Sequence, residues 1–383
     1  MRVLTATFGF AVICTAQELK LPDPLIAADG KRVSAEIWMD THREQTLEQF
    51  RSCIYGRNPV GRPKVLNFKV TETDPQAIAG KATLKRVKIS FSGPNGHGSF
   101  MVSLFVPNQA KKPVPAFLLI CNRGYENIDT TRKIKSPFWP VERAIDRGYA
   151  ISAFHNSELD PDKYDGWQDG VHGIFDDKDK PRAEDAWGTI AAWAWGASRV
   201  MDYFQIDPDI DDKHVALIGH SRGGKTALWA GAQDERFALT ISNNSGCSGA
   251  ALARNKKGES IRKINVRFPH WFCKNYDLYN DREDKLPVDQ HQLIALLAPR
   301  LVYVASATDD EWADPEGEFL ACVHAGPVYE LLGQMGVGAT KPPKPDTPLQ
   351  TGHIGYHLRT GKHDLIEYDW ECYMDFADIH WRK

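Results

Sequence analysis

Residues 217–231, LIGHSRGGKTALWAG, restrict what this chain can fold into more than any other stretch. An apolar run ends at a glycine, a serine follows one residue later, and a helix-forming sequence begins almost at once. Gly219, His220, Ser221, Arg222 and Gly223 match G-x-S-x-G, a pattern too short to mean much alone. Between a strand and a helix it is the expected form of a nucleophile elbow. The turn must be tight enough to lift the serine hydroxyl above a sheet, so small residues are needed on either side of it. The competing reading, a glycine-rich phosphate loop, lacks both the Walker spacing and the GxGxxG fingerprint.

A serine hydroxyl is a weak nucleophile without a base, and the base needs an acid to orient it. On a strand–elbow–helix fold the chain order is serine, acid, histidine. Of the thirteen histidines, His363 in TGKHDL lies in a glycine-flanked loop after GHIGYHLR, the expected last strand. His380 comes later but belongs to the amphipathic run DLIEYDWECYMDFADIHW, which reads as helix. The loop after strand RLVYVASA offers Asp309, Asp310, Glu311 and Asp314 as acids.

The rest of the chain supplies the sheet such an elbow requires. THREQTLEQFRSCIYG (41–56) reads as a helix within an N-terminal arm, residues 17–64. KATLKRVKISFS and SFMVSLFVP, joined through GPNGHG, read as a hairpin. Strands AFLLICN, YAISAF, HVALIGH, LTISNNS and RLVYVASA then alternate with helical segments WPVERAIDRG, EDAWGTIAAWAWGASRVMDYF, KTALWAGAQD and HQLIALLAP. Continuous apolar strands alternating with helices imply a mostly parallel sheet covered on both faces. The expected architecture is one α/β-hydrolase domain over residues 65–383. Trp187, Trp193 and Trp195 read as core, and the long loop 155–182 as a segment able to line a cleft.

Composition sets the outer limits. The 383 residues are 42% hydrophobic and 25% charged, as in ordinary globular proteins, and the net charge is −3. That balance provides no basic field for nucleic acid. The opening MRVLTATFGFAVICTAQ fits a signal peptide of residues 1–16, so a secreted or periplasmic location is expected, with no membrane span. Of the seven cysteines, removal of Cys14 leaves six, suited either to disulfides or to buried thiols. No CxxC pair or HExxH helix signals a metal. Asp207, Asp209 and Asp211 imitate a calcium loop, but Asp212 and Ile218 stand where Gly and Glu are required.

With the elbow, the loop ASATDDEWADPEGEF and GKHDL together, the chain resembles the glucuronoyl esterases, carbohydrate esterase family fifteen, on their bacterial branch. The resemblance spans roughly residues 30–383. Its distinctive part is SRGGK, which places Arg222 directly after the serine and Lys225 four residues on. It implies cofactor-free cleavage of the ester between 4-O-methylglucuronic acid of glucuronoxylan and lignin alcohols; a monomer is expected. It also implies Ser221 as nucleophile, His363 as base and Arg222 in the oxyanion hole, with Lys225, Glu259 and Trp312 holding the sugar hydroxyls. Many members carry the acid as Glu in the strand after the elbow helix. Here SNNSG stands there, with Asn243 and Asn244, so the acid role passes to the later loop, where Asp310 is chosen and Asp309 is the near alternative. An acetyl xylan or cinnamoyl esterase, or an inactive carbohydrate-binding relative, are the alternatives on the same fold.

Overall fold

The computed structural model describes residues 20–111, 113–254 and 257–382; the expected signal peptide lies outside the described residues. Nine strands form one sheet: β1 (Val65–Ala77), β2 (Ala82–Gly93), β3 (Gly96–Pro107), β4 (Val114–Cys121), β5 (Ala150–His155), β6 (Ile210–His220), β7 (Leu239–Asn243), β8 (Leu301–Ala307) and β9 (Ile354–Arg359). Their spatial order is β1-β2-β3-β5-β4-β6-β7-β8-β9. The first three strands are an antiparallel meander, and every pair from β5 to β9 is parallel. β3 and β5 join the two halves in antiparallel register.

This topology places the C-terminal ends of β6, β7, β8 and β9 side by side, where ligands bind in open α/β sheets. The stretches leading to those ends, such as Val215–His220 of β6 and all of β7 and β8, are buried, as expected where helices cover both faces of a sheet. Helix Thr189–Phe204 brings Trp193 and Trp195 into the core, and Trp187 joins them from the turn before it. The helix starts five residues later than EDAWG suggests, because Gly188 is its N-cap and Asp185 is engaged by Arg57 instead.

Besides the short helices Gly170–Phe175 and Ile261–Arg267, two longer elements went unread in the sequence. β1 is an edge strand with nearly every residue at least partly exposed, so it lacks the apolar alternation that marks a half-buried strand. Helix Pro315–Leu331 starts inside the acidic loop, capped by the Asp314 carboxylate on the Gly317 N–H, with Pro315 at its first position. From residue 20 on, the N-terminal arm is packed: Trp38, Phe50, Ile54 and Tyr55 lie in the main core. Arg43 donates to the Ala232 and Leu296 carbonyls.

The six described cysteines are free thiols, five of them buried and Cys53 half-buried. Burial pushes the Cys121 and Cys273 thiols up to about 12, which leaves them unreactive. The calcium-like triplet holds a protein cation: Lys85 Nζ lies 2.6 Å from Asp207 and 2.8 Å from Asp209. Among the described residues no helix is long and apolar enough to cross a membrane.

Candidate active site

Ser221 stands directly after β6, at the start of helix Arg222–Gln233. Its backbone has φ 56° and ψ −122°, a conformation non-glycine residues rarely adopt. It is held there by Ser221 N–H donating to the Asn243 carbonyl at 2.8 Å, and by the Ser221 carbonyl accepting from Gly224 at 2.9 Å. A side chain at Gly219 would come within 1.9 Å of the Gly223 carbonyl oxygen, and one at Gly224 within 2.9 Å of Ser245 Cβ. The glycines around the serine are therefore a steric requirement of the turn.

His363 follows β9 and Asp310 follows β8. His363 Nδ1 lies 2.6 Å from Asp310 Oδ2. An ionised carboxylate only accepts, so Nδ1 carries the hydrogen and the Nε2 lone pair is left to act as a base. Burial would raise the Asp310 carboxyl, but the hydrogen bond and charge of His363 and the Asn244 amide outweigh it. The group is held below the usual carboxylate range.

Asn244 follows β7 in a left-handed conformation (φ 47°), and its Nδ2 donates to the same Asp310 oxygen at 3.0 Å. The residue standing where an alternative acid was sought thus supports the acid on the neighbouring loop. Its loop is fixed by buried Glu318, which accepts from Gly246 N–H at 2.8 Å and from Ser306 Oγ at 2.6 Å. Asn243 acts on the other side of the base: its Oδ1 lies 2.6 Å from His220 Nδ1, and the His220 ring packs 4.5 Å from that of His363. Burial, with the charge of His363, keeps His220 well below its ordinary value. A neutral ring therefore lies beside His363.

Ser221, Arg222, Lys225, Glu259, Asp310, Trp312 and His363 all line one cavity of about 320 Å³. Of the four acids offered by the loop after β8, Asp310 alone lines it; Asp309, Glu311 and Asp314 do not. Lys225, 3% exposed, donates to the Ser245 and Cys247 carbonyls at 2.5 and 2.6 Å and lies 4.0 Å from Glu259. Trp312 is 47% exposed, with Lys263 Nζ 4.9 Å from its ring centre. A larger hollow of about 690 Å³ lies against Trp312 but contains none of the other six residues.

Arg222 is the residue whose surroundings sequence reasoning missed. Its guanidinium is ion-paired with Asp162 and rests 4.8 Å from the ring centre of Trp271 and 5.3 Å from that of Phe268. Phe268 and Trp271 stack on each other at 3.7 Å and form a wall of the cavity. The length of loop 155–182 was the one available signal for Asp162. Nothing in RFPHWF singled out its aromatic residues.

The sheet order, with a serine elbow at the end of the central strand β6, defines an α/β-hydrolase. A family model described as "Glucuronyl esterase, fungi" matches residues 89–333, more than half of the chain. The protein is 44% identical to carbohydrate esterase MZ0003 from an unknown prokaryotic organism, over 94% of this chain and 89% of that one. Its structure superposes on a promiscuous CE15 esterase from a marine bacterial metagenome with a TM-score of 0.87 and 43% identity, covering 95% of this chain and 98% of that one. The glucuronoyl esterase of Solibacter usitatus gives a TM-score of 0.88 and 39% identity, covering 95% and 99%. The chain belongs to the glucuronoyl esterase family, carbohydrate esterase family fifteen, on its bacterial branch. It is therefore a carboxylic-ester hydrolase of the carbohydrate esterases.

Proposed function

We propose that the protein hydrolyses esters of 4-O-methylglucuronic acid borne on glucuronoxylan, including those to lignin alcohols, through an acyl-enzyme on Ser221. The observation that carries this reading is the meeting in one cavity of Ser221, the His363–Asp310 pair and the cations of SRGGK. His363 Nε2 takes the Ser221 proton as Oγ attacks the ester carbonyl carbon. The resulting imidazolium is stabilised by ionised Asp310, which remains a carboxylate. Charge that develops on the carbonyl oxygen meets Arg222, through its backbone N–H and its guanidinium. Collapse of the tetrahedral intermediate expels the alcohol, protonated by His363. Water activated by the same base then releases the uronate.

At the other end of the cavity Lys225, Glu259 and Trp312 receive the sugar. A buried ammonium and carboxylate suit a ring rich in hydroxyls, and the exposed indole face suits its C–H surface. The same Arg222 charge would retain the uronate product, so some product inhibition is expected. A secreted, monomeric enzyme fits a polymeric substrate.

A second reading, wider acyl tolerance, is kept because one relative is described as promiscuous. The test is a substrate panel: methyl and benzyl glucuronate, methyl galacturonate, acetylated xylan and feruloylated xylan. The proposal expects glucuronate esters to give the highest kcat/KM, with galacturonate down by about 10-fold or more. Equal rates on glucuronate and galacturonate would remove the sugar contacts from the account. Faster turnover of acetylated or feruloylated xylan would reassign the acyl group.

A further inference from the structure

Asp162 sits in loop 155–182, far from the elbow in sequence. The loop is pinned just before it: Thr189 Oγ1 lies 2.6 Å from Asp160 Oδ2, and Trp193 Nε1 donates to the Asp160 carbonyl at 2.8 Å. Gly196 leaves the space that Leu159 fills, since a side chain there would come within 1.9 Å of Leu159 Cδ1. Asp162 is thereby held over the cavity wall. Its Oδ1 accepts from Trp271 Nε1 at 2.8 Å and lies 2.9 Å from His270 Nε2, while Oδ2 takes the Arg222 Nη1 hydrogen.

The arrangement closes on itself. Trp271 supports the guanidinium with its ring and, through its N–H, the carboxylate that binds that guanidinium. Arg222 is fixed in plane by stacking and in rotation by the ion pair. Its buried Nε has no hydrogen-bond partner among the described residues. A buried donor left unpaired costs stability, and this one belongs to a side chain lining the cavity. Burial would raise the Asp162 carboxyl, yet its bond to His270, the charge of Arg222 and the Trp271 donor bring it down to about 2, so it stays a carboxylate in any working buffer.

We propose that Asp162 is a positioning residue for catalysis: it clamps Arg222 through Nη1 against the Trp271–Phe268 wall, leaving the remaining donors of the guanidinium for the ester oxygen. The inference rests on the reading of Arg222 as an oxyanion-hole residue. The clamp makes the long loop part of the catalytic apparatus, although none of its residues need touch the substrate.

The test is a double-mutant cycle with benzyl glucuronate as substrate and separate kcat and KM. Arg222→Gln is expected to lower kcat about 100-fold or more, as for loss of an oxyanion donor. Asp162→Asn should lower kcat about 10- to 100-fold, as for a charge-assisted hydrogen bond, with KM within about 3-fold. In the Arg222→Gln background the Asp162→Asn change should add less than about 2-fold. Trp271→Phe is the gentler variant should Asp162→Asn fold poorly. It keeps a ring beneath the guanidinium, removes one donor to Asp162, and should lower kcat about 3- to 10-fold only when Arg222 is present. Full additivity, a rise in KM alone, or normal kcat in the Asp162 and Trp271 variants would overturn the clamp while leaving the Arg222 reading intact. Normal turnover by Arg222→Gln would instead overturn the oxyanion reading, and the clamp with it.

Discussion

The two ends of the cavity are built on different terms. At the Ser221 end the geometry is local and strained: a serine at φ 56°, glycines excluded from substitution by contacts under 3 Å, and a 2.6 Å bond between base and acid. At the sugar end Lys225 and Glu259 are buried and Trp312 stands half exposed, on segments joined by the Glu259 N–H bonding the Trp312 carbonyl at 3.1 Å. On the proposed function, the first end fixes the atoms that change bonds and the second offers a surface to the sugar. Substitutions at the first should therefore act on kcat, and those at the second on KM and substrate choice.

Four variants test that division, from the largest effect to the smallest. Asp310→Asn keeps the shape but loses the charge that orients and stabilises the imidazolium. A kcat loss of about 10² to 10⁴-fold at nearly constant KM is expected in steady-state kinetics. Normal turnover would move the acid role to Asp309. Asn244→Gly removes the second donor to Asp310 while tolerating the left-handed backbone, and should cost kcat about 10-fold. An unchanged kcat would show that His363 alone suffices to hold the carboxylate.

Trp312→Ala should raise KM for methyl glucuronate about 10-fold and narrow its advantage over galacturonate, with kcat within about 3-fold. A fall in kcat alone would break the separation between the ends. The smallest effect on activity is expected at Asp160, behind both ends. Burial pushes its carboxyl up to about 8 even though Thr189 bonds it, so between the ordinary carboxylate value and pH 8 the folded protein holds a proton the unfolded chain has released. That contribution to stability is complete at low pH and is lost as pH rises toward 8. Asp160→Asn should thus melt progressively higher relative to the parent from pH 5 to pH 8, with little change in kcat. A melting difference independent of pH would show that the carboxyl is ionised throughout.

Asp160 and Asp162 also show where sequence reading stops. Two residues apart on one loop, they are driven in opposite directions, Asp160 up by burial and Asp162 down by Arg222, His270 and Trp271. Arg222 lies sixty positions from Asp162, and His270 and Trp271 about one hundred and ten, and no local pattern announces them. The elbow was legible because strand, turn and helix are contiguous and the steric need for glycine is written in five residues. His363 and the acidic loop after β8 were legible because the fold fixes their order along the chain, whereas the choice of Asp310 over Asp309 within that loop was not. Lys225, Glu259 and Trp312 were named through the resemblance, not through any local pattern. Asn244 was noticed only as a missing acid, since its service to Asp310 depends on β7 and β8 being neighbours. The edge strand β1 and the helix at Pro315 were missed for local reasons, polar exposure in one and a start hidden within an acidic loop in the other.

If Ser221 carries the acyl group of a glucuronate ester, replacing its hydroxyl removes the nucleophile and leaves the rest of the cavity in place. Benzyl glucuronate hydrolysis by Ser221→Ala should fall by about 10⁴-fold or more, while the folded protein still binds glucuronate through Lys225, Glu259 and Trp312. Hydrolysis at the parent rate by the purified Ser221→Ala protein would contradict the account.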